Sequence, residues 1–90
     1  MIITINVTQD DIDRGERESC LACPIALACK RAGIVRPEVS SYEIIDEFRN
    51  EYKLPMEARL FVHRFDAGGA LYRVFPFSFI LIDSKTVLTS

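Results

Sequence analysis

Three cysteines, Cys20, Cys23 and Cys29, lie within ten residues of this chain, which has no other cysteine. Cys20 and Cys23 have the C-x-x-C spacing found in zinc knuckles and in thiol redox proteins. A tetrahedral zinc site needs two further ligands, for which Cys29 and His63 are the candidates. Metal binding, thiol redox chemistry and simple packing at the start of a helix are therefore the three interpretations to compare.

Helix geometry argues against zinc. Cys29 follows Cys23 by six residues on what should be one helix, which separates them by about 9 Å at a rise of 1.5 Å per residue. Two ligands that are each about 2.3 Å from one zinc ion must lie much closer together. We therefore predict no cofactor and keep a zinc site on Cys20 and Cys23 as the alternative. A site shared across a dimer would avoid the geometric objection.

The redox interpretation depends on Cys23 standing at a helix N-terminus, where the helix dipole lowers the pKa of a thiol. In disulfide oxidoreductases the proline lies between the two cysteines, whereas here Pro24 follows them. The chain also lacks the long βαβ crossovers of that fold. We favour the packing interpretation, since free cysteine is among the most buried residue types.

A small basic face is the other candidate site. Arg59, His63 and Arg64 lie away from the apolar face of a predicted helix, where they are either solvated or meet a phosphate or an acidic partner. Ser40 and Ser41 have no convincing base nearby in the pattern, so neither is predicted to be a nucleophile. We identify no catalytic residues and predict that the protein is not an enzyme.

The first half of the chain has clear element signals. Ile2 to Val7 alternates apolar and polar side chains, which predicts a strand. Thr8 is a good N-cap for a short helix over Gln9–Arg14. Pro24 suits the first position of a second helix that runs to about residue 32, with Gly33 as its terminator.

The second half contains one ambiguous stretch. Residues 38 to 55 fit either an amphipathic helix or two strands joined by a polar turn around residues 47 to 50. After it, Pro55 opens a helix that ends before Gly68. Residues 73 to 83 predict a last strand, with Pro76 near its beginning. Because both faces of that strand are apolar, we expect it to be central in a sheet or covered on both sides.

Together these elements predict an α+β fold with two main helices, one short helix and one antiparallel or mixed sheet of about four strands. We expect residues 1–84 to form a single domain and residues 85–90 to be a flexible tail. The predicted core consists of Ile3, Ile5, Val7, Ile12, Ile25, Ala28, Ala32, Ile44, Leu54, Ala58, Phe61, Val62, Phe65, Phe77, Phe79 and Leu81.

Composition narrows the class of protein. The chain has 90 residues, of which 49% are hydrophobic, and a net charge of −2. This is enough apolar surface for one folded domain, and the charge makes nucleic-acid binding an unfavoured hypothesis. No apolar run approaches the ~20 residues that span a bilayer, and the N-terminus does not resemble a signal peptide. We expect a cytoplasmic protein without a membrane partner.

Several segments together resemble a group of small proteins from tailed phages and prophages. Residues 7–15 read V-T-Q-x-x-I-D-x-G, and residues 20–26 read C-x-x-C-P-I-A. The later Y-K-L-P-x-E-A-x-x-F-V-x-x-F-D-A-G and P-F-S-F segments are similar to that group as well, in the same order. Cys20 and Cys23 fall on the shared pattern, whereas Cys29 and His63 depart from it.

This resemblance implies a phage or prophage accessory protein in the cytoplasm of a host cell. It carries over no catalytic residue. It also implies two strands with a glycine-containing turn in the ambiguous stretch, although Arg49 and Asn50 stand where a glycine is expected.

Two functional hypotheses follow. The favoured one is a non-enzymatic accessory protein that binds a host or phage macromolecule, with self-association as a homodimer as a further expectation. The alternative is a metal- or thiol-dependent regulator that uses Cys20 and Cys23.

Overall fold

A computed structural model of the chain describes residues 2–68 and 73–82. Over these ranges it has the predicted α+β architecture, with one short helix and two longer ones. The elements in chain order are β1 (Ile2–Val7), α1 (Gln9–Arg14), α2 (Pro24–Arg31), β2 (Glu38–Val39), β3 (Glu43–Ile45), β4 (Glu51–Lys53), α3 (Met56–Ala67) and β5 (Phe77–Ile82). The expected flexible tail, residues 85–90, lies outside the described residues.

The first and last strands among the described residues form an antiparallel pair. β1 and β5 place Ile3 opposite Leu81 and Ile5 opposite Phe79. Because side chains alternate along a strand, these residues share one face, and Ile5, Phe79 and Leu81 are buried there. The opposite face carries Ile80, which is exposed.

The ambiguous stretch is a three-stranded antiparallel sheet in the order β2-β3-β4, so the helix interpretation is wrong. The hairpin interpretation is confirmed for β3 and β4, but the predicted first strand is divided into β2 and β3. The turn between β3 and β4 is held by Asp46, whose Oδ1 accepts hydrogen bonds from the amides of Phe48 at 2.8 Å and Asn50 at 2.9 Å. Arg49 has a φ of 67°, in the left-handed region that favours glycine.

Three expectations about the strands are wrong. The described strands form two sheets, of two and three strands, instead of one sheet of about four. β4 contacts β5, but no hydrogen-bonded ladder joins them. β5 is also shorter than predicted and is not covered on both faces, because Ile80 and Ile82 are exposed.

The helix ends follow the predicted caps closely. Thr8 and Asp11 form a reciprocal capping box at the start of α1. Cys23 is the N-cap of α2, and Pro55 is the N-cap of α3 instead of its first helical residue. Gly68 ends α3 with a φ of 69°.

Most of the predicted core is confirmed. Ten of the sixteen residues are buried and five pack against the core as partly buried side chains. Ala32 is the wrong member, because α2 ends at Arg31 and Ala32 is its exposed C-cap residue. The core also takes in six residues outside that list, namely Cys23, Ala26, Cys29, Ile34, Val39 and Tyr52, and for the two cysteines burial agrees with the packing interpretation.

α2 lies where the two sheets meet, since it contacts both β1 and β2. Its residues Ile25, Ala26 and Cys29 are fully shielded from solvent. This helix therefore links the two sheets and fixes the position of the cysteine segment. Among the described residues no helix has the length and apolar character needed to cross a bilayer.

Candidate functional site

The two cysteines of the C-x-x-C segment have different environments. Cys23 is buried, and its Sγ accepts a hydrogen bond from the amide of Ala26 at 3.4 Å. Burial raises the pKa of the Cys23 thiol, and the hydrogen bonds from the Ala26 and Ile25 amides only oppose that rise. The thiol therefore stays protonated at neutral pH and serves as a helix cap.

Cys20 is exposed, whereas the packing interpretation expects both thiols to be buried, so burial agrees with that interpretation for Cys23 and disagrees with it for Cys20. Its backbone carbonyl accepts a hydrogen bond from the amide of Val39 at 2.8 Å, which ties this loop to β2. Both cysteines line one cavity of about 220 Å³, beside Glu18 and Asp66. Asp66 is already engaged, because its Oδ1 accepts a hydrogen bond from the Glu18 amide at 2.9 Å.

The other two candidate zinc ligands do not join this pair. Cys29 is buried in the core, where burial raises the pKa of its thiol to about 12. His63 is exposed on α3 and does not line the cavity of Cys20 and Cys23. Within residues 2–68 and 73–82, no three His, Cys, Asp or Glu side chains are arranged to hold a metal ion.

A half-buried ion pair lies at the junction of β1, α1 and α2, with Asp11 buried and Arg31 about half exposed. The Asp11 carboxylate accepts hydrogen bonds from both terminal nitrogens of Arg31, at 2.7 Å each. Arg31 also donates to the backbone carbonyl of Asn6 at 2.7 Å. These hydrogen bonds, opposed in part by burial, hold the pKa of Asp11 below its usual range. No buried side-chain polar atom of the described residues lacks a hydrogen-bond partner, and this cluster joins three elements, so we assign it a structural role.

A groove along α3 is the strongest candidate for a functional surface. It has a volume of about 320 Å³. We call it the α3 groove, and its lining residues are Glu57, Leu60, Phe61 and Arg64 from α3 together with residues 73–77. Leu60 is 50% exposed and Phe75 is 63% exposed, although both are apolar.

The floor of the α3 groove is aromatic. The rings of Phe61 and Phe77 stack with their centroids 5.0 Å apart, and Phe77 stacks in turn on Phe79 at 5.4 Å. Phe79 belongs to the core beneath. Because these rings are packed against one another, the floor is preformed and the exposed side chains stand on a rigid base.

Two arginines bring positive charge to the α3 groove. The ion pairs formed among the described residues are Arg14 with Asp10 and Arg31 with Asp11, so neither Arg64 nor Arg73 pairs with a described carboxylate. Arg73 lies over the ring of Phe75, with Cζ 5.6 Å from the ring centroid. The guanidinium groups therefore remain open to a partner.

The three residues of the predicted basic face do not act together in the structure. Arg59, His63 and Arg64 are all exposed on α3. Only Arg64 lines the α3 groove, while Arg59 donates from Nε to the Leu54 carbonyl at 3.0 Å. Leu60 was missed, yet its signal is in the sequence, since an apolar residue at this position lies outside the buried stripe of α3.

Comparison with known proteins gives no relative. No family model matches the chain, and no curated protein and no solved structure matches it. The resemblance to the phage and prophage group accordingly stays a hypothesis, as does the origin it implies.

Proposed function

We propose that this chain is a non-enzymatic accessory protein of the phage or prophage kind, and that it acts by binding a host or phage protein. The α3 groove is the proposed binding surface. In this proposal the protein works in the cytoplasm of the host cell and needs no cofactor. The basic face of Arg59, His63 and Arg64 lies on the same helix and contributes Arg64 to the contact.

The exposed apolar side chains of the α3 groove carry this proposal. Single exposed apolar residues are ordinary on protein surfaces. Leu60 and Phe75, in contrast, line one groove, and Met56, which is 65% exposed, lies one helical turn before Leu60. Aromatic and aliphatic side chains that stand together on a rigid floor are typical of the energetic centre of a protein interface.

Affinity capture with matched variants tests the proposal. Wild-type protein, a Leu60→Asp/Phe75→Ser variant and a Phe48→Ser control are each used to capture proteins from a lysate of the source cells, followed by quantitative mass spectrometry. Phe48 is a suitable control because it is 64% exposed, almost the same as Phe75, but lies in the β3–β4 turn.

A protein retained by the wild type and the control, lost by the groove variant and then shown to bind directly when purified, is the expected result. We expect direct binding to weaken at least about tenfold in the groove variant, because removing a central apolar anchor costs about 2 kcal/mol or more. Capture that is the same for all three proteins, or no capture at all, contradicts the proposal.

The metal- or thiol-dependent regulator is retained as the alternative function. Its support is that Cys20 is exposed and shares a cavity with Cys23. The raised pKa of Cys23 weighs against a reactive pair. Self-association also remains a prediction, and the exposed face of the β1–β5 sheet, with Ile2, Ile80 and Ile82, is the surface it would use.

A further inference from the structure

We infer that the segment of the partner that occupies the α3 groove is an acidic peptide with interspersed apolar side chains. This inference rests on the proposed function and names the chemistry of the partner. It is carried by the two arginines that line an otherwise apolar groove.

The charge of the α3 groove is opposite to that of the whole chain. The chain has a net charge of −2, yet the groove holds Arg64 and Arg73 against a single carboxylate, Glu57. Neither arginine forms an ion pair with a carboxylate of the described residues. Guanidinium groups bind carboxylates through paired hydrogen bonds, so both are available for acidic side chains of a partner.

The positive charge is concentrated at one end of the groove. Arg64 lies seven residues after Glu57 on α3, which is about 10 Å along the helix axis. Arg73 lines a neighbouring cavity together with Arg17 and Gly68, which places it at the C-terminal end of α3. Arg17 packs so closely on Gly68 that a Cβ at that position would lie 2.6 Å from the Arg17 Cζ.

The groove thus has a basic end, formed by Arg64, Arg73 and the adjacent Arg17, and an apolar centre around Leu60 and Phe75. An occupant that fits both parts buries apolar side chains in the centre and places its carboxylates over the basic end. Such complementarity contributes to specificity and to the association rate more than to raw affinity. A nucleic acid would match the basic end but would leave Leu60 without an apolar partner.

Selection from a displayed library of random peptides tests the inference directly. Selections are run against the wild type and against a Leu60→Ser/Phe75→Ser variant, which adds no charge to the groove, and peptides bound only by the wild type are sequenced. We expect these groove-dependent peptides to be enriched in Asp and Glu near Leu or Phe. Groove-dependent peptides that are neutral or basic overturn the inference but leave the proposed function standing.

Reversing the charge of the two groove arginines is the second test of the inference. An Arg64→Glu/Arg73→Glu variant should bind the selected acidic peptides at least about tenfold more weakly, and higher salt should weaken wild-type binding. A Lys30→Glu/Lys53→Glu variant is the matched control, because both lysines are exposed and lie outside the groove. Equal losses in the two variants overturn the inference.

Two further outcomes separate the inference from its rivals. If no peptide depends on Leu60 and Phe75, the groove is not a peptide-binding site, and both the inference and the docking part of the proposed function fail. If a single-stranded oligonucleotide binds through Arg64 and Arg73 without needing Leu60, the partner is a nucleic acid and the inference fails. Thermal melting of each variant confirms that it is folded before binding is compared.

Discussion

Asp11 is buried where β1, α1 and α2 meet, and its carboxylate is satisfied on all sides. Oδ2 also accepts a hydrogen bond from the Thr8 amide at 2.9 Å, which completes the capping box. One side chain thus serves a helix cap and an ion pair with Arg31 at the same time. Asp11 therefore fixes the relative positions of α1 and α2, which local helix propensity alone does not determine.

Asp11→Asn should destabilise the protein by about 1–3 kcal/mol, because hydrogen bonds to a charged group are lost and the buried amide cannot satisfy Arg31. The loss should stay within this range, because Arg31 is 51% exposed and water can hydrate it when the ion pair is lost. Chemical denaturation measures the change. Asp13→Asn is the control, because Asp13 is exposed on the same helix, and an equal loss in both variants contradicts the structural role of Asp11.

Stability should also fall in acid. The folded-state pKa of Asp11 lies below its ordinary value of 3.8, chiefly because of the Arg31 hydrogen bonds. Because the pKa of Asp11 is lower in the folded than in the unfolded protein, ionised Asp11 stabilises the folded state. This stabilisation is complete above the unfolded-state pKa and is lost as the pH falls through the folded-state pKa. Unfolding free energies measured from neutral pH to about pH 2 should therefore decline below about pH 4. Asp11→Asn should decline less steeply, and parallel curves contradict the prediction.

The three thiols should differ in reactivity. At neutral pH a thiol reagent should modify Cys20 in the folded protein, whereas Cys23 and Cys29 should react only after unfolding, because both are buried with raised pKa values. Cys20→Ser should remove the fast reaction. Rapid modification of both Cys20 and Cys23, or stoichiometric zinc in protein purified without chelator, would instead favour the regulator hypothesis.

At the scale of elements, the β3–β4 turn shows how one residue can act against its own backbone preference. Arg49 adopts a positive φ, while Asp46 holds the turn through the amides of Phe48 and Asn50. The Asn50 side chain adds a hydrogen bond to Asp46 Oδ2 at 3.0 Å. The side-chain hydrogen bonds of Asp46 therefore compensate for the absence of glycine.

Arg49→Gly should stabilise the protein by about 0.5–1 kcal/mol, since glycine adopts this conformation without the steric cost of a Cβ. Lys53→Gly is the control and should destabilise it, because Lys53 lies within a strand. Thermal and chemical unfolding measure both changes. A loss of stability in Arg49→Gly would mean that the Arg49 side chain makes a contribution that outweighs the backbone strain.

Local signals were sufficient for the helices. Thr8, Pro24 and Gly68 act at short range, and they predicted the start of α1, the start of α2 and the end of α3. The hairpin could not be separated from a helix by periodicity, because the apolar residues of that stretch fit both spacings. Strand pairing could not be predicted from the sequence, because the division into two sheets depends on contacts between distant parts of the chain.

The candidate site was predicted only in part, for the same reason. Arg64 could be found from its position on a helix face. Arg73, however, approaches α3 only because the chain returns through residues 73–76 into β5, and no spacing in the sequence indicates that contact. Similarly, the C-x-x-C spacing does not distinguish Cys20 from Cys23, whereas the fold exposes Cys20 and buries Cys23.

At the scale of the whole molecule, the pairing of β1 with β5 closes the fold. It joins residues far apart in sequence, and α2 contacts both this pair and the three-stranded sheet. The aromatic floor of the α3 groove is part of the same arrangement, because Phe77 and Phe79 belong to β5. The proposed binding surface is therefore built on the element that completes the domain.

A chemical-shift map of the bound protein tests the central claim most directly. Isotope-labelled protein is titrated with a groove-dependent peptide or with the captured partner, and amide shifts are followed residue by residue. The account predicts that the largest shifts fall on residues 57–64 of α3 and on residues 73–77. Shifts that instead cluster around Cys20 and Cys23, or on the exposed face of the β1–β5 sheet, would contradict it.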